Sequence, residues 1–337
     1  MFKIIRILTL ISAFGLLLNC CNNGNKIDIS GTYKPIDIQR FEQDLFAIPT
    51  DSIWNYVPQM EEKYGSFFDL FNQQIIRIGG TNQLNYDKKL ASFLTDPDIQ
   101  GTLSEVNKTF GTQELKCKKE LSEAWARFAV LFPEIALPKI MTHISGFNQS
   151  IVVDSGLISI SLDKYLGINH KYYQMLRTPM YMQYNMHPKK IASDVVEALA
   201  ITEFEYQPET DNLMSQMIYY GKIHILEDAL LPDSPDTLKW GYTTVQLDWC
   251  KKNEREIWLS LVDKNALFST SAKEINRMIH PAPFTAAYSR KSPGGLGQWI
   301  GYQIVKSYLK HNKSVTLQEL MRNNDYQKIL NASHYKP

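Results

Sequence analysis

Apolar residues recur at helical spacing along most of the chain, and one stretch in the middle breaks that rhythm. Phe41, Leu45 and Phe46 open the pattern, and Ser52 to Tyr64 continues it around Pro58, which predicts a kink or a boundary there. Phe67, Phe68, Leu70 and Phe71 form a dense aromatic and aliphatic cluster that reads as core. Asp96-Pro97 predicts a helix start with proline in its first turn, and Glu114 to Leu131 predicts a long helix stopped before Pro133. Residues 139–162 then alternate β-branched and polar side chains, with turn residues at Ser145-Gly146 and Asp154-Ser155-Gly156. That pattern predicts three short strands in a small antiparallel meander. Helical periodicity returns over 189–204, 212–230, 243–262 and 296–310, with two short helices from Leu317 onward. The predicted class is α+β, mainly helical, with one small antiparallel β-meander in mid-chain.

The first nineteen residues follow a different logic. Lys3 and Arg6 precede an apolar run from Ile7 to Leu18, which has the length of a signal peptide and falls short of the roughly 20 residues a spanning helix needs. Leu17-Leu18-Asn19-Cys20 resembles the bacterial lipobox, whose cysteine carries diacylglycerol. Asn19 stands where a small residue is usual, which leaves Cys21 as an alternative acceptor and an ordinary signal or a buried strand as the other reading. Residues 1–19 are thus read as a lipoprotein signal peptide, and residues 20–35 as lipidated Cys20 with a polar tether. Acyl chains contribute about 0.8 kcal/mol per buried methylene, so the anchored chain is expected in the cell envelope, held to a membrane and facing the periplasm.

Composition adds limits to this picture. A chain of 337 residues with 44% hydrophobic and 21% charged content can bury a sizeable core. Its formal charge of +1 becomes −1 once Lys3 and Arg6 leave with the signal, a balance that argues against nucleic acid as a partner. Only Cys117 and Cys250 remain in the body, so a disulfide between them stays open while a zinc site built on thiolates does not.

Three blocks carry a family resemblance. They are Phe132-Pro133-Glu134 with Ile144 to Ser150 (ISGFNQS), Ile158 to Gly167 (ISISLDKYLG), and Ser292-Pro293-Gly294 with Trp299 to Val305 (WIGYQIV). With the lipobox, Arg40-Phe41-Glu42 and the terminal Tyr335-Lys336-Pro337, the chain resembles the gliding-motility lipoprotein GldB family over nearly all of its mature length. The resemblance implies a role in the envelope machinery of gliding bacteria, with other gliding and secretion proteins as partners and no cofactor. It also implies a distant likeness to predicted zinc peptidases, hence a degenerate zincin-like scaffold. On that reading residues 36–138 are an N-terminal helical lobe and residues 139–337 a peptidase-like lobe, the two forming one compact domain.

Zinc hydrolysis needs two imidazoles one helical turn apart, and the helix read over 191–204 contains no histidine. No metal ligand set or catalytic residue is therefore assigned; a possible remnant site comprises Asp194, Glu197, Glu227 and Glu254. Asp194 and Glu197 lie one turn apart and suit either a hard cation or a solvated helix face. His224 and Glu227 share a helix face and either join Glu197 or belong to an exposed helix end before Pro232, the second being the simpler reading. Glu254 falls in the apolar stripe Leu247, Cys250, Ile257, Leu261 and is expected to pair with an Arg or Lys, or to survive from a site. Arg290 to Gly297 precedes a helix and could hold an anion, but it lacks the strand and glycine spacing of a dinucleotide fingerprint, and Gly301 reads as a close helix contact. There is no G-x-S-x-G elbow. His143 and His170 receive no role. The alternative to a non-catalytic envelope protein is a metal- or carboxylate-dependent, peptidase-like hydrolase with an altered site.

Overall fold

The computed structural model describes residues 26–111 and 114–337. Cys20, Cys21 and the segment read as signal and lipid anchor lie outside the described residues. Four strands, β1 (Ile38–Arg40), β2 (Lys139–His143), β3 (Ile151–Asp154) and β4 (Leu157–Ser161), form one sheet in the order β1-β2-β4-β3. The pairs β1–β2 and β2–β4 are parallel, and β3–β4 is antiparallel.

The expected antiparallel meander is therefore corrected to a small mixed sheet within a mainly helical α+β fold. Alternation locates strands but says nothing about which strands pair. Asp154-Ser155-Gly156 does turn β3 into β4, as its residue types predict, with Gly156 at φ +68°. The segment 144–150 carries the chain beyond the sheet, however, so that β4 returns alongside β2 in the same direction. Strand β1 is three residues long, too short to show a period, and comes from far upstream.

Among the described residues, sixteen helices surround the sheet. On the N-terminal side lie α1 (Phe41–Phe46), α2 (Ile53–Tyr64), α3 (Ser66–Leu70), α4 (Tyr86–Thr95), α5 (Pro97–Phe110) and α6 (Lys118–Leu131). After β4 come α7 (Lys171–Met175), α8 (Met180–Gln183), α9 (Ile191–Glu203), α10 (Leu213–Leu230) and α11 (Asp236–Trp240). The chain ends with α12 (Thr244–Asp263), α13 (Ala272–Ile279), α14 (Leu296–His311), α15 (Leu317–Arg322) and α16 (Tyr326–Ser333). Pro58 sits inside α2 without ending it, whereas Pro97 opens α5 behind the Asp96 cap as its position predicts.

The two faces of the sheet enter different cores. Ile140, Ile158 and Ile160 pack into a large cluster with α6, α9, α10 and α14, while Met141, Val152 and Leu157 pack against a cluster supplied by residues 41–94. Because both faces are covered, β4 is buried at every position, unlike a strand with one wet face. Phe67, Phe68 and Phe71 are fully buried in the second cluster.

His143 belongs to this core as well. Its ring lies between Phe67 and Phe71, its Nδ1 is 2.7 Å from Ser159 Oγ, and its Nε2 has no hydrogen-bond partner. Burial pushes its pKa down to about 3 from an ordinary 6.5. The unfolded chain takes up this proton near pH 6.5 and the folded chain does not, so stability is full above that pH and declines toward pH 3. We expect a loss of about 1.4 kcal/mol per pH unit from this residue, and a flatter profile in His143→Leu. Urea unfolding at several pH values across that window checks it; parallel profiles for the two proteins would show that His143 does not set the slope.

The family-like blocks have structural work in this fold. Asp163, fully buried, accepts bonds from the backbone amides of Ser145 (3.2 Å) and Phe147 (2.5 Å) and from Ser161 Oγ (2.5 Å). It thereby clamps the loop after β2 to the end of β4, with Gly146 and Phe147 both at positive φ. Gly301 of α14 meets α10 backbone to backbone: a Cβ there would lie 1.6 Å from Met217 O. Gly221 on α10 faces it from the other side, where a Cβ would lie 2.4 Å from Gly301 C.

Candidate functional site

The close crossing of α10 and α14 brings one edge of each helix to a cavity of about 440 Å³. Helix α9 follows a single 3-10 turn, Pro188–Lys190, that places Lys190 one turn before Asp194, and Glu197 comes one turn later. Lys190, Asp194 and Glu197 thus share the face of α9 that lines the cavity. From α10 comes His224, from α11 Lys239 and Trp240, and from the start of α14 Gln298 with Gly294 and Gly295 before it.

A continuous hydrogen-bonded chain runs behind this wall. Tyr165 OH donates to Asp194 Oδ2 at 2.7 Å, and Lys190 Nζ lies 2.8 Å from Asp194 Oδ1 and donates to Ser193 Oγ at 2.7 Å. Ser193 Oγ donates to Glu227 Oε1 at 2.6 Å, and His224 Nδ1 lies 3.1 Å from Glu227 Oε2. His224 Nε2 is 3.0 Å from Gln298 Oε1, and Gln298 Nε2 donates to Ile279 O at 2.9 Å. Trp240 stacks on the His224 ring at 3.9 Å. Lys239 pairs with Asp228 and, at 3.3 Å, with Asp236.

The charge states follow from this wiring. Burial alone disfavours imidazolium, but the bond to Glu227 and its charge, with Glu197 and Gln298 adding, hold the His224 pKa above its ordinary value. As imidazolium, His224 donates to both neighbours, which suits the two acceptors it has. Burial likewise opposes charge on Lys190, and Asp194, Glu227 and Glu197 overcome it to raise its pKa. Glu197 is the exception: burial raises its pKa, and its carboxylate has no hydrogen bond or ion pair among the described residues.

The residues singled out from sequence fall as follows. Asp194 and Glu197 line the cavity rather than a solvated helix face, and Glu227 lies just behind its wall, 1% exposed. The simpler reading of His224 and Glu227 as an exposed helix end is overturned, since both are buried under Trp240 and α14. Glu254 does not join this group: it sits on α12, half-buried, and accepts a bond from Tyr335 OH at 2.8 Å instead of pairing with an Arg or Lys. The C-terminus, which no periodicity connects to α12, supplies that partner. Cys117 and Cys250 are free thiols. Among the described residues, no group of three or more His, Cys, Asp or Glu side chains could hold a metal ion.

Sequence reasoning passed over Lys190, Ser193, Trp240 and Gln298. The spacing of Lys190 to Asp194 is a readable signal, because oppositely charged residues four apart meet on a helix. Trp240 and Gln298 carry none, since only the fold brings them to His224.

A family model described as gliding motility protein GldB matches residues 22–337, a span that holds the sheet, both cores and every cavity residue. The chain belongs to the GldB family. No curated protein and no solved structure matches it. Within this GldB-family chain, Ser292-Pro293-Gly294 meets the cavity rim: Thr285 donates to Pro293 O through Oγ1 at 2.8 Å, and Tyr242 OH donates to Gly294 O at 2.8 Å. A Cβ on Gly294 would strike Ala282 N at 2.2 Å, so glycine there lets two rim segments touch. No helix among the described residues is long and apolar enough to cross a membrane.

Proposed function

We propose that this gliding-motility family member is a lipid-anchored cell-envelope protein, facing the periplasm, that supports gliding and its associated secretion machinery by holding a ligand or partner segment without catalysis. The observation that carries this reading is the family match over 22–337, which begins immediately beyond Cys20 and Cys21 and takes in the whole cavity. The scaffold is then a peptidase-like one whose α9 has no histidine for zinc, its cavity face being built of Lys190, Asp194 and Glu197.

Cys20→Ala tests the anchor. We expect loss of palmitate labelling, release of the protein from membranes and loss of colony spreading, while the Cys21→Ala protein keeps all three. An unmodified amino terminus on a cytosolic wild-type protein would sink the proposal.

One observation favours a second reading, a carboxylate-dependent hydrolase. Glu197 faces a cavity with its pKa raised by burial, which is what a general acid requires. Hydrolysis by the purified domain that disappears in Glu197→Gln, or a tightly held metal lost in Glu197→Ala, would favour it.

A further inference from the structure

We propose that the cavity is a receptor for the primary ammonium group of a lysine side chain, carried on an extended polypeptide segment whose flanking residues rest on the apolar rim. The inference rests on the reading of the cavity as a ligand-holding site and names what it holds.

Charge is the first argument. Lys190 is matched by Asp194, His224 by Glu227, and Lys239 by Asp228 and Asp236, so each cation around the site already has its counter-charge. Glu197 is left over, on the cavity wall, with no bonding partner among the described residues. Glu197 is half-buried, and a carboxylate partly removed from water with no bonded counter-charge gains most from a cation that enters from outside. An anion would meet Glu197 in place of a free donor. Among the described residues, a metal ion lacks the ligand set.

The lining decides what kind of cation fits. Tyr181, Tyr184, Trp240 and Tyr242 face the cavity, and aromatic faces attract organic ammonium groups. Gln246 lines the cavity too, but its Oε1 already accepts from Thr243 N at 2.9 Å and from Thr243 Oγ1 at 3.1 Å, so Glu197 supplies the acceptor. An ammonium group on a flexible apolar stem, as in lysine, meets both demands.

The rim argues for a polypeptide over a free amine. Ile168 and Met180 line the mouth yet are 48% and 54% exposed, and Met175 and Leu176, close by in sequence, are 70% and 56% exposed. Large apolar side chains left exposed on a cavity lining mark a contact surface, and methionine adapts its shape to varied partners. A peptide backbone laid across these residues would direct one lysine inward and cover its neighbours on the rim.

Glu197 also predicts the pH dependence. Its surroundings are Lys190 and Asp194 on its own face, His224, Glu227, Tyr219 and Tyr220 from α10, and Tyr165 from beyond β4. With its pKa raised, Glu197 loses a proton when the ammonium arrives, so affinity rises as pH climbs through its titration. Deprotonation of His224 at higher pH acts in the same direction, and the tyrosines, whose pKa values are raised, stay neutral.

The test is calorimetric titration of the purified domain with a blocked pentapeptide, acetyl-Leu-Ala-Lys-Ala-Leu-amide, against the same peptide bearing acetyl-lysine. We expect the charged peptide to bind at least about tenfold more tightly, and Glu197→Gln to erase that preference while the melting temperature holds. Equal binding of the two peptides by the wild-type protein, no binding of either, or tighter capture by vesicles containing phosphatidylethanolamine would overturn the proposal. The peptide pair tests the wild-type chain directly, so an unfolded variant does not blunt the result. A lipidated protein that is needed for spreading and yet ignores lysine would leave the anchor reading standing and remove only this one.

Discussion

Gly301→Ala is expected to lower the free energy of unfolding by more than about 3 kcal/mol, and Gly301→Val to leave no folded protein at growth temperature. Intrinsic helix preference points the other way, because alanine is favoured over glycine by about 1 kcal/mol inside a helix. The packing decides the sign. A Cβ at Gly301 would sit 1.6 Å from Met217 O and 2.2 Å from Met217 C, atoms of a helix backbone that no side-chain rotation can move aside. Helices α10 and α14 must separate, and His224 and Gln298, each one turn from the touching glycines, lose their 3.0 Å contact. Urea unfolding of the alanine variant, with binding measured on whatever remains folded, checks both parts. A variant as stable as the wild type would show that the crossing can open at little cost.

Glu227→Ala is expected to cost about 3–5 kcal/mol, because it strips the counter-charge from a buried His224 and leaves Ser193 Oγ only its longer bond to Leu238 O, at 3.3 Å. The effect depends on pH in a stated direction. The raised pKa of His224 gives the wild type stability that is fully present below about 6.5 and is lost as pH rises through the folded-state value. Without Glu227, burial acts on His224 with less opposition and its pKa falls, so the deficit of the variant is largest at low pH and narrows as pH rises. NMR titration of the His224 ring alongside denaturation at pH 5.5 and 8.5 reads both quantities. A deficit independent of pH would mean that the carboxylate acts only as a packed acceptor.

The longest helices were legible because each repeats its apolar residues every three to four positions over more than ten residues. The predictions for 212–230, 243–262 and 296–310 agree within a residue or so with α10, α12 and α14. Sheet order was not legible, since parallel pairing of β2 with β4 depends on where the 144–150 segment lies, and that is fixed by Asp163 reaching across to Ser145 and Phe147. Asp194, Glu197 and Glu227 could be named as a possible cluster from their spacing, whereas the equally plausible Glu254 went elsewhere, to Tyr335. Nothing local separates these cases: a carboxylate one turn from another looks the same whether it faces water, a cavity or a tyrosine.

By itself the sequence determined the helical class, the position of three of the four strands and the family, because these depend on local periodicity or on ordered blocks of residues. Tertiary structure alone decided that His224 is buried and wired to Glu227, that Trp240 covers it, and that Glu197, on the wall of a cavity, is left without a bonding partner among the described residues. The physical reason is that burial, charge pairing and pKa are properties of what surrounds a group, and here the surroundings come from residues 165 to 298, brought together by two glycines that let α10 and α14 touch.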